Sequence, residues 1–216
     1  MAVIIINPNS TETMTHAMLD QARRSCPELT FEGWTSHAGP ASIQGEADGA
    51  AARSPLLGLV ARASEQGAEG IIIGCFDDTA LDEAAQIADC PVIGIGQAAY
   101  HYAALRQWRF SVVTTLAVST PIIENNIAQQ GLSHLMARVR ASEIPVLELE
   151  ANPEYSGQVV AQEAQRAEQE DGIAAVVLGC AGMVEVVDTV RQSLSAHVID
   201  PVACAAQCMR WLSGQS

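Results

Sequence analysis

Two cysteines occupy equivalent places in two similar stretches of the chain. Residues 71–75 read Ile-Ile-Ile-Gly-Cys, and residues 176–180 read Val-Val-Leu-Gly-Cys. A short unbroken apolar run, rich in β-branched residues, is typical of a strand buried on both faces of a parallel sheet. Cys75 and Cys180 would then lie at the carboxyl ends of strands, where open α/β sheets bind ligands. A helix that begins nearby favours the thiolate form of such a cysteine, so the pattern predicts a pair of reactive thiols.

Two thiols that face one cleft can move a proton between the two faces of a carbon atom. One thiolate removes an acidic C–H proton, and the other group, as a thiol, returns a proton to the opposite face. Such a pair needs no cofactor, but each thiol must have a pKa near the working pH. A metal site, a Cys-His hydrolase and a disulfide redox pair are weaker interpretations, because neither cysteine has a neighbouring His or a CxxC partner. A two-lobed ligand-binding protein and a thiol redox protein stay as alternatives.

The elements around the two cysteines repeat along the chain. Strands are predicted at residues 3–6, 29–34, 70–74 and 91–95, and again at 110–115, 145–149, 174–179 and 197–200. Strands that alternate with helices require right-handed crossovers and a parallel sheet. The predicted fold class is therefore α/β, with two pseudo-symmetric flavodoxin-like lobes, parallel sheets, and the active site in the cleft between them.

Helices are predicted between these strands, at residues 10–24, 47–66, 79–88, 97–107, 119–130, 156–170, 184–194 and 201–212. Pro55 is a candidate break in the second helix, because proline removes a helical hydrogen bond. The first lobe is expected to cover residues 1–97 and the second residues 98–199. The C-terminal helix, within residues 200–216, is expected to pack on the first lobe.

Composition narrows the class of protein and its partners. The 216 residues are 49% hydrophobic and 17% charged, as in a soluble globular protein. A net charge of −14 without a basic patch argues against nucleic acid and against an anionic membrane surface. The chain has no long apolar stretch and no basic N-terminal region, so neither a membrane span nor a signal peptide is expected. Six cysteines without a disulfide-type pattern suggest a cytoplasmic protein. The expected partners are a small-molecule substrate and further copies of this chain.

Several motifs, taken in order along nearly the whole chain, resemble one known family. They are Asn-Pro-Asn-Ser at 7–10, Ala-Ser-Ile-Gln-Gly at 41–45, Gly-Cys-Phe at 74–76, Pro-Val-Ile-Gly-Ile at 91–95, Phe-Ser-Val-Val-Thr-Thr-Leu at 110–116 and Val-Leu-Gly-Cys-Ala-Gly-Met at 177–183. In these the chain is similar to the hydantoin racemases of the Asp/Glu/hydantoin racemase superfamily, which also holds allantoin racemase. The motifs at 110–116 and 177–183 are the more specific ones.

The resemblance implies a reaction and a set of site residues. The reaction is interconversion of D- and L-5-monosubstituted hydantoins, with Cys75 and Cys180 as the acid/base pair and with no metal or cofactor. Backbone N–H groups and hydroxyls would hold the ring oxygens and stabilise the enolate that forms on proton loss. The substrate-binding residues implied are Asn7, Ser42, Phe76, Thr114, Thr115, Ala181 and Gly182.

The chain departs from the family pattern after the first cysteine. Residues 76–79 read Phe-Asp-Asp-Thr, where Phe-Gly-Asp-Pro is usual. Phe76 and Ala181 are apolar, whereas the related amino-acid racemases place hydroxyl residues after each cysteine, so a neutral ring is favoured over an amino acid. Arylmalonate decarboxylases keep only the second cysteine. Allantoin racemase, amino-acid racemase and maleate isomerase stay as alternative activities.

Other polar residues have simpler interpretations. Asp77 and Asp78 are expected to be helix N-terminal charges, or acceptors for N–H groups of a ureido substituent. Asp200 is expected to cap the last helix, and His101 to be a packing residue. The remaining cysteines, at 26, 90, 204 and 208, are interpreted as small core residues.

Overall fold

The structure is a computed structural model that describes residues 2–214. Within these residues, eight strands alternate with helices. The strands are β1 Val3–Asn7, β2 Phe31–Thr35, β3 Gly70–Ile73, β4 Val92–Gly94, β5 Phe110–Thr114, β6 Met136–Ala141, β7 Ala175–Gly179 and β8 His197–Ile199. The helices are α1 Glu12–Ser25, α2 Glu46–Glu65, α3 Leu81–Ile87, α4 Ile95–Leu105, α5 Thr120–Gln129, α6 Glu148–Ala151, α7 Pro153–Glu170, α8 Val187–Ser193 and α9 Pro201–Ser213. Short 3-10 turns cover Ala117–Ser119 and Ala181–Glu185.

The strands form two parallel sheets with the same topology. The first has the order β2-β1-β3-β4 and the second the order β6-β5-β7-β8. The central strands are fully buried because helices cover both faces of each sheet. Ile6 pairs with Ile73 in the first sheet, and Thr114 pairs with Gly179 in the second. The predicted α/β fold with two equivalent parallel sheets is confirmed.

One apolar core runs through both sheets. Three aromatic rings connect its two parts. Phe76, after β3, meets Tyr100 of α4 edge-on with ring centroids 5.4 Å apart, and Tyr100 stacks on Phe110 of β5 at 6.3 Å. Aromatic residues are only 4% of the chain, and three of them are in contact at this one place. It ties the loop after the first cysteine strand to the second sheet.

Helix α9 packs against α1 and α4. Asp200 caps it, as predicted, by accepting hydrogen bonds from the N–H groups of Val202 at 2.9 Å and Ala203 at 3.2 Å. The proposed lobe boundary at residue 97 falls inside α4 and stays a prediction. Residue 1 and residues 215–216, which the expected lobe and C-terminal bounds include, lie outside the described part of the chain. Within residues 2–214, no helix combines the length and apolar composition needed to cross a membrane.

The strand predicted at residues 145–149 is wrong. The second edge strand is β6, whose Arg140 is buried and pairs with Asp171, Glu170 and Glu163. Because β6 carries a buried arginine that is held by ion pairs, its sequence lacks the apolar run that would indicate a strand. Residues 145–147 instead lead into α6, and Val146 and Leu149 are buried.

Pro55 does not break α2, which is continuous from Glu46 to Glu65. The carbonyl that a helical N–H at residue 55 would have bonded belongs to Ala51. Because Ala51 is exposed, water can satisfy that carbonyl.

Candidate active site

Cys75 and Cys180 line the same small cavity between the two sheets. Its walls come from both halves of the chain and comprise Asn9, Met14, Ile43, Gly74, Cys75, Phe76, Thr114, Thr115, Ser119, Val146, Gly179, Cys180 and Ala181. The cavity has a volume of about 30 Å³, room for about one water molecule. The cleft is therefore closed, and it has to widen before a five-membered ring can enter.

Contacts across the cleft hold it closed. The side-chain oxygen Oε1 of Gln44 accepts a hydrogen bond from the N–H of Val146 at 2.9 Å. The Thr13 hydroxyl at the start of α1 donates to Glu150 of α6 at 2.6 Å. The loop between β2 and α2 thus meets residues 145–149, the segment predicted as a strand. Both hydrogen bonds join the first half of the chain to the second, and both are exposed or half-buried.

Cys75 is held by the loop that follows β3. Its Sγ accepts a hydrogen bond from the Thr79 hydroxyl at 3.6 Å and another from the N–H of Asp77. Burial, followed by the nearby charge of Asp77, raises the pKa of this thiol far above its usual value. The two donors oppose that shift, but loss of water around the sulfur outweighs them.

Cys180 is held by the 3-10 turn Ala181–Glu185. The N–H groups of Gly182 and Met183 donate to its Sγ, and this favours the thiolate. Burial nevertheless raises the pKa of Cys180 to about 12, and the charges of Asp77 and Glu150 add to the increase. The prediction that both thiols have pKa values near the working pH is wrong for this closed cleft. Opening would bring back water and remove the largest cause of both shifts.

The hydroxyls predicted at the end of β5 do reach the cavity. Thr114 donates its Oγ1 hydrogen to the carbonyl oxygen of Gly179 at 2.9 Å, which ties β5 to β7 beside Cys180. Thr115 is buried, and no side-chain partner among residues 2–214 holds its hydroxyl. Thr115 is therefore the one of the two that has a hydroxyl free to bind a ligand oxygen.

Asn7 does not line the cavity, but its side chain is hydrogen-bonded to Asn9, which does. Its side-chain NH₂ donates to Asn9 Oδ1 at 2.9 Å, to the Thr11 carbonyl at 3.0 Å and to Thr15 Oγ1 at 3.0 Å. Asn9, which sequence reasoning did not single out, lines the cavity. The signal was present in the same Asn-Pro-Asn motif, but only the fold shows which asparagine faces the cleft. A direct ligand contact for Asn7 stays a prediction.

The other predicted binding residues fall into two groups. Phe76 and Ala181 line the cavity, whereas Ser42 and Gly182 are not part of its wall. Ile43, next to Ser42, lines it instead. Further apolar wall residues that sequence reasoning missed are Met14 and Val146, and a further hydroxyl is that of Ser119. Each comes from an element remote in sequence from the cysteines, so no local motif marked it.

Asp78 has a structural role. Its carboxylate accepts the N–H of Gly96 at 3.0 Å and of Gln97 at 2.7 Å, which caps α4. The expected helix N-terminal charge is thus found for Asp78, but at α4 and not at the helix that follows it directly. Asp77 differs, since its Oδ2 is buried without a hydrogen-bond partner in the described part of the chain. Burial raises the pKa of Asp77 to about 7.

Two further predictions concern residues outside the cavity. His101 is exposed, with its Nδ1 3.0 Å from the Gln97 carbonyl, so the predicted packing role is wrong. Cys26 is buried in the core, and Cys90, Cys204 and Cys208 are half-buried. No group of three or more His, Cys, Asp or Glu side chains in residues 2–214 is arranged to hold a metal ion.

Comparison with known proteins gives the class to which this fold and cavity belong. Residues 3–209 match the family model described as Asp/Glu/Hydantoin racemase. The chain therefore belongs to the Asp/Glu/hydantoin racemase family.

The chain is similar to particular racemases over nearly its whole length. The chain is 38% identical to a hydantoin racemase of Rhizobium meliloti, covering 99% of this chain and 89% of that protein. It is 31% identical to a hydantoin racemase of Pseudomonas sp. (strain NS671), covering 96% and 84%. The structure of allantoin racemase from Klebsiella pneumoniae is similar with a TM-score of 0.94 and 34% identity, covering 100% of this chain and 88% of that one. A glutamate racemase from Francisella tularensis, at 17% identity and a TM-score of 0.71, shares the fold.

Proposed function

We propose that this protein racemises 5-monosubstituted hydantoins at C5, with Cys75 and Cys180 as the two acid/base groups. The observation that carries the proposal is the placement of both thiols on the wall of one cavity, each after an equivalent strand of its sheet. Two groups that approach a carbon from opposite sides can invert it without a cofactor. The identity to curated hydantoin racemases supports the same reaction.

The active form of the pair holds one thiol and one thiolate. In one direction the Cys75 thiolate takes the C5 proton, and the electron pair of the C–H bond moves into the adjacent carbonyl to give an enolate. The Cys180 thiol then gives its proton to the other face of C5. The pair ends with the proton on Cys75 and the negative charge on Cys180, so the reverse reaction uses the same atoms.

The enolate oxygen needs hydrogen-bond donors at the cavity wall. The Thr115 hydroxyl is free for this purpose. Phe76 and Ala181 also line the cavity, and their backbone N–H groups would be further donors. Donors placed before the charge develops stabilise the transition state more than water can, because they need no reorganisation. The N–H groups of Gly182 and Met183 serve Cys180 itself and stabilise its thiolate.

Charge at the cavity favours a neutral substrate over an amino acid. The lining residues include no Lys, Arg or His. The acidic groups whose charge acts on the thiols are Asp77 and Glu150. A substrate carboxylate would meet this negative field without a cation to pair with. Amino-acid racemase and maleate isomerase activities are disfavoured for this reason. Allantoin racemase activity is not, because allantoin has no carboxylate.

Circular dichroism on L-5-benzylhydantoin, allantoin and L-glutamate tests the proposal. The Cys75→Ser/Cys180→Ser double variant supplies the background, since hydantoins also racemise spontaneously in solution. We expect turnover of a hydantoin, no turnover of glutamate, and no loss of activity with a chelator. Turnover of glutamate alone would overturn the substrate class.

The cytoplasmic location and the homo-oligomeric state are proposed together with the activity. Six free thiols among the described residues support a reducing compartment. Fractionation of the cells that produce the protein, and sedimentation of the purified protein, measure the two properties directly.

A further inference from the structure

Asp77 carries a carboxyl group that the fold does not use. The backbone of this residue is fixed on both sides. Its N–H donates to Cys75, and its carbonyl accepts a hydrogen bond at 2.8 Å from the side chain of Asn126 on α5. The side-chain atom Oδ2 is buried, and no hydrogen-bond donor in residues 2–214 reaches it. A buried acceptor without a donor is costly, which is a reason to look for a ligand that supplies one.

Asp77 lies near both catalytic thiols. Its charge acts on Cys75 and on Cys180, and also on the buried hydroxyl of Tyr100. The titratable groups that face it are these three side chains and the neighbouring Asp78, whose carboxylate is already bonded to the start of α4. No ion pair in the described part of the chain includes Asp77. Asp77 does not itself line the closed cavity, but it follows Cys75 and Phe76, which do, and its buried acceptor is left unused.

We propose that Asp77 is a specificity-determining residue whose Oδ2 accepts a hydrogen bond from an N–H group in the C5 substituent of the substrate. A ureido substituent carries such groups directly next to C5, whereas an alkyl or benzyl substituent has none. Binding 5-ureidohydantoin, which is allantoin, would satisfy the buried oxygen. A benzyl group would exclude water from that oxygen and leave it without a donor. This inference rests on the proposed hydantoin racemisation and names the substituent that the site prefers.

The test compares kcat/KM for allantoin and for L-5-benzylhydantoin in four proteins. These are the wild type, Asp77→Ala, Asp77→Asn and the control Asp82→Asn. The control changes net charge by the same amount as Asp77→Asn, at an exposed position on α3. We expect Asp77→Ala to lower the allantoin-to-benzylhydantoin ratio by about ten- to a hundredfold, the range for loss of one hydrogen bond to a charged group. Asp77→Asn keeps an acceptor oxygen and should retain part of the preference, and Asp82→Asn should leave the ratio unchanged.

Each contrary result has a distinct meaning. An equal loss for both substrates would show that Asp77 positions Cys75 or binds a ring N–H group that all hydantoins share, and the inference would be wrong while the racemase activity stood. An unchanged ratio in Asp77→Ala would also overturn the inference alone. If the wild type turned over neither hydantoin, the proposed function itself would fail, and this inference with it.

Discussion

The two cysteine half-sites share one backbone plan but hold their thiols in different ways. Cys180 is followed directly by a 3-10 turn, and its sulfur receives two backbone N–H groups. Cys75 is followed by a loop in which Asp78 and Ala80 have positive φ angles of 48° and 53°. Its sulfur receives one N–H group and the Thr79 hydroxyl. The sulfur of Cys180 is thus held by backbone donors alone, whereas that of Cys75 depends in part on a side chain, Thr79.

The helices next to the two half-sites, α4 and α9, also differ in how they are capped. Asp200 caps α9 from the adjacent position in the chain, whereas α4 is capped by Asp78 from the cysteine loop. Gly94 immediately precedes α4, as Asp200 precedes α9. A Cβ atom on Gly94 would lie 1.9 Å from Asp78 Oδ1, so a side chain there is incompatible with this cap. A carboxylate thus lies at the start of α4 and of α9, but it comes from different places in the chain. Only Asp78 also anchors the loop that holds Cys75.

The largest expected effect is common to both half-sites. Cys75→Ser and Cys180→Ser should each lower the racemisation rate by roughly 10²- to 10⁴-fold, because one face of C5 then lacks its acid or base. Polarimetry on a single hydantoin enantiomer measures the loss. Cys90→Ser, which removes a half-buried thiol away from the cavity, is the matched control and should stay active. A near wild-type rate in either catalytic variant would contradict the two-thiol mechanism.

Removing either helix cap should lower stability, but only removal of the cap on α4 should also lower activity. Asp78→Ala and Asp200→Ala each leave two helix N–H groups without an acceptor, at a cost of about 1–3 kcal/mol in unfolding free energy. Asp78→Ala should in addition reduce kcat/KM, because the loop that positions Cys75 loses its anchor on α4. Urea unfolding and steady-state kinetics on both variants test this. If Asp200→Ala reduced kcat/KM as much as Asp78→Ala, the cap on α4 would have no special connection to Cys75.

A pH effect on stability is expected at Asp77. Because burial raises the pKa of Asp77 to about 7 in the folded protein, the native state binds more protons than the unfolded state between about pH 4 and pH 7. This group therefore makes the folded protein less stable as pH rises through that window. Asp77→Asn cannot titrate, so its stability relative to the wild type should rise between pH 4 and pH 8, by up to about 4 kcal/mol for a pKa raised to about 7. Thermal unfolding at the two pH values measures the difference, and an equal effect at both would contradict it.

The smallest expected effect concerns the hydroxyl on Cys75. Thr79→Val removes a donor that favours the Cys75 thiolate, so proton removal by Cys75 should slow a few-fold. Since two enantiomers have equal free energy, kcat/KM must fall equally in both directions. The asymmetry should instead appear as a larger primary isotope effect with the C5-deuterated enantiomer whose deuterium faces Cys75. Equal changes in the isotope effect for both enantiomers would show that Thr79 does not act on Cys75 alone.

Much of the fold could be predicted because its signals are local. The apolar runs that became β3 and β7, each ending in Gly-Cys, placed both thiols at strand ends from the sequence alone. The edge strand β6 was missed because its Arg140 is buried through ion pairs. Residues 145–149 resembled a strand because Val146 and Leu149 are buried in the closed structure.

Other parts of the site depend on tertiary contacts. The capping of α4 by Asp78 joins positions that no local pattern connects. The pKa values of the thiols are raised mainly by burial, which removes water from both sulfur atoms. The sequence predicts only the effect of a nearby helix dipole, which lowers the pKa of a thiol. Here burial raises the pKa by more than the dipole lowers it.

The two-thiol mechanism requires that a different group serve each face of C5. Racemisation of one hydantoin enantiomer in D₂O, followed by NMR and chiral separation at early times, tests this requirement. We expect the product enantiomer to carry deuterium at C5 while the remaining substrate keeps its hydrogen, because the proton is taken by one thiol and the deuteron comes from the other. Product that retains the substrate's own hydrogen would show that a single group acts on both faces, and the two-thiol mechanism would be wrong.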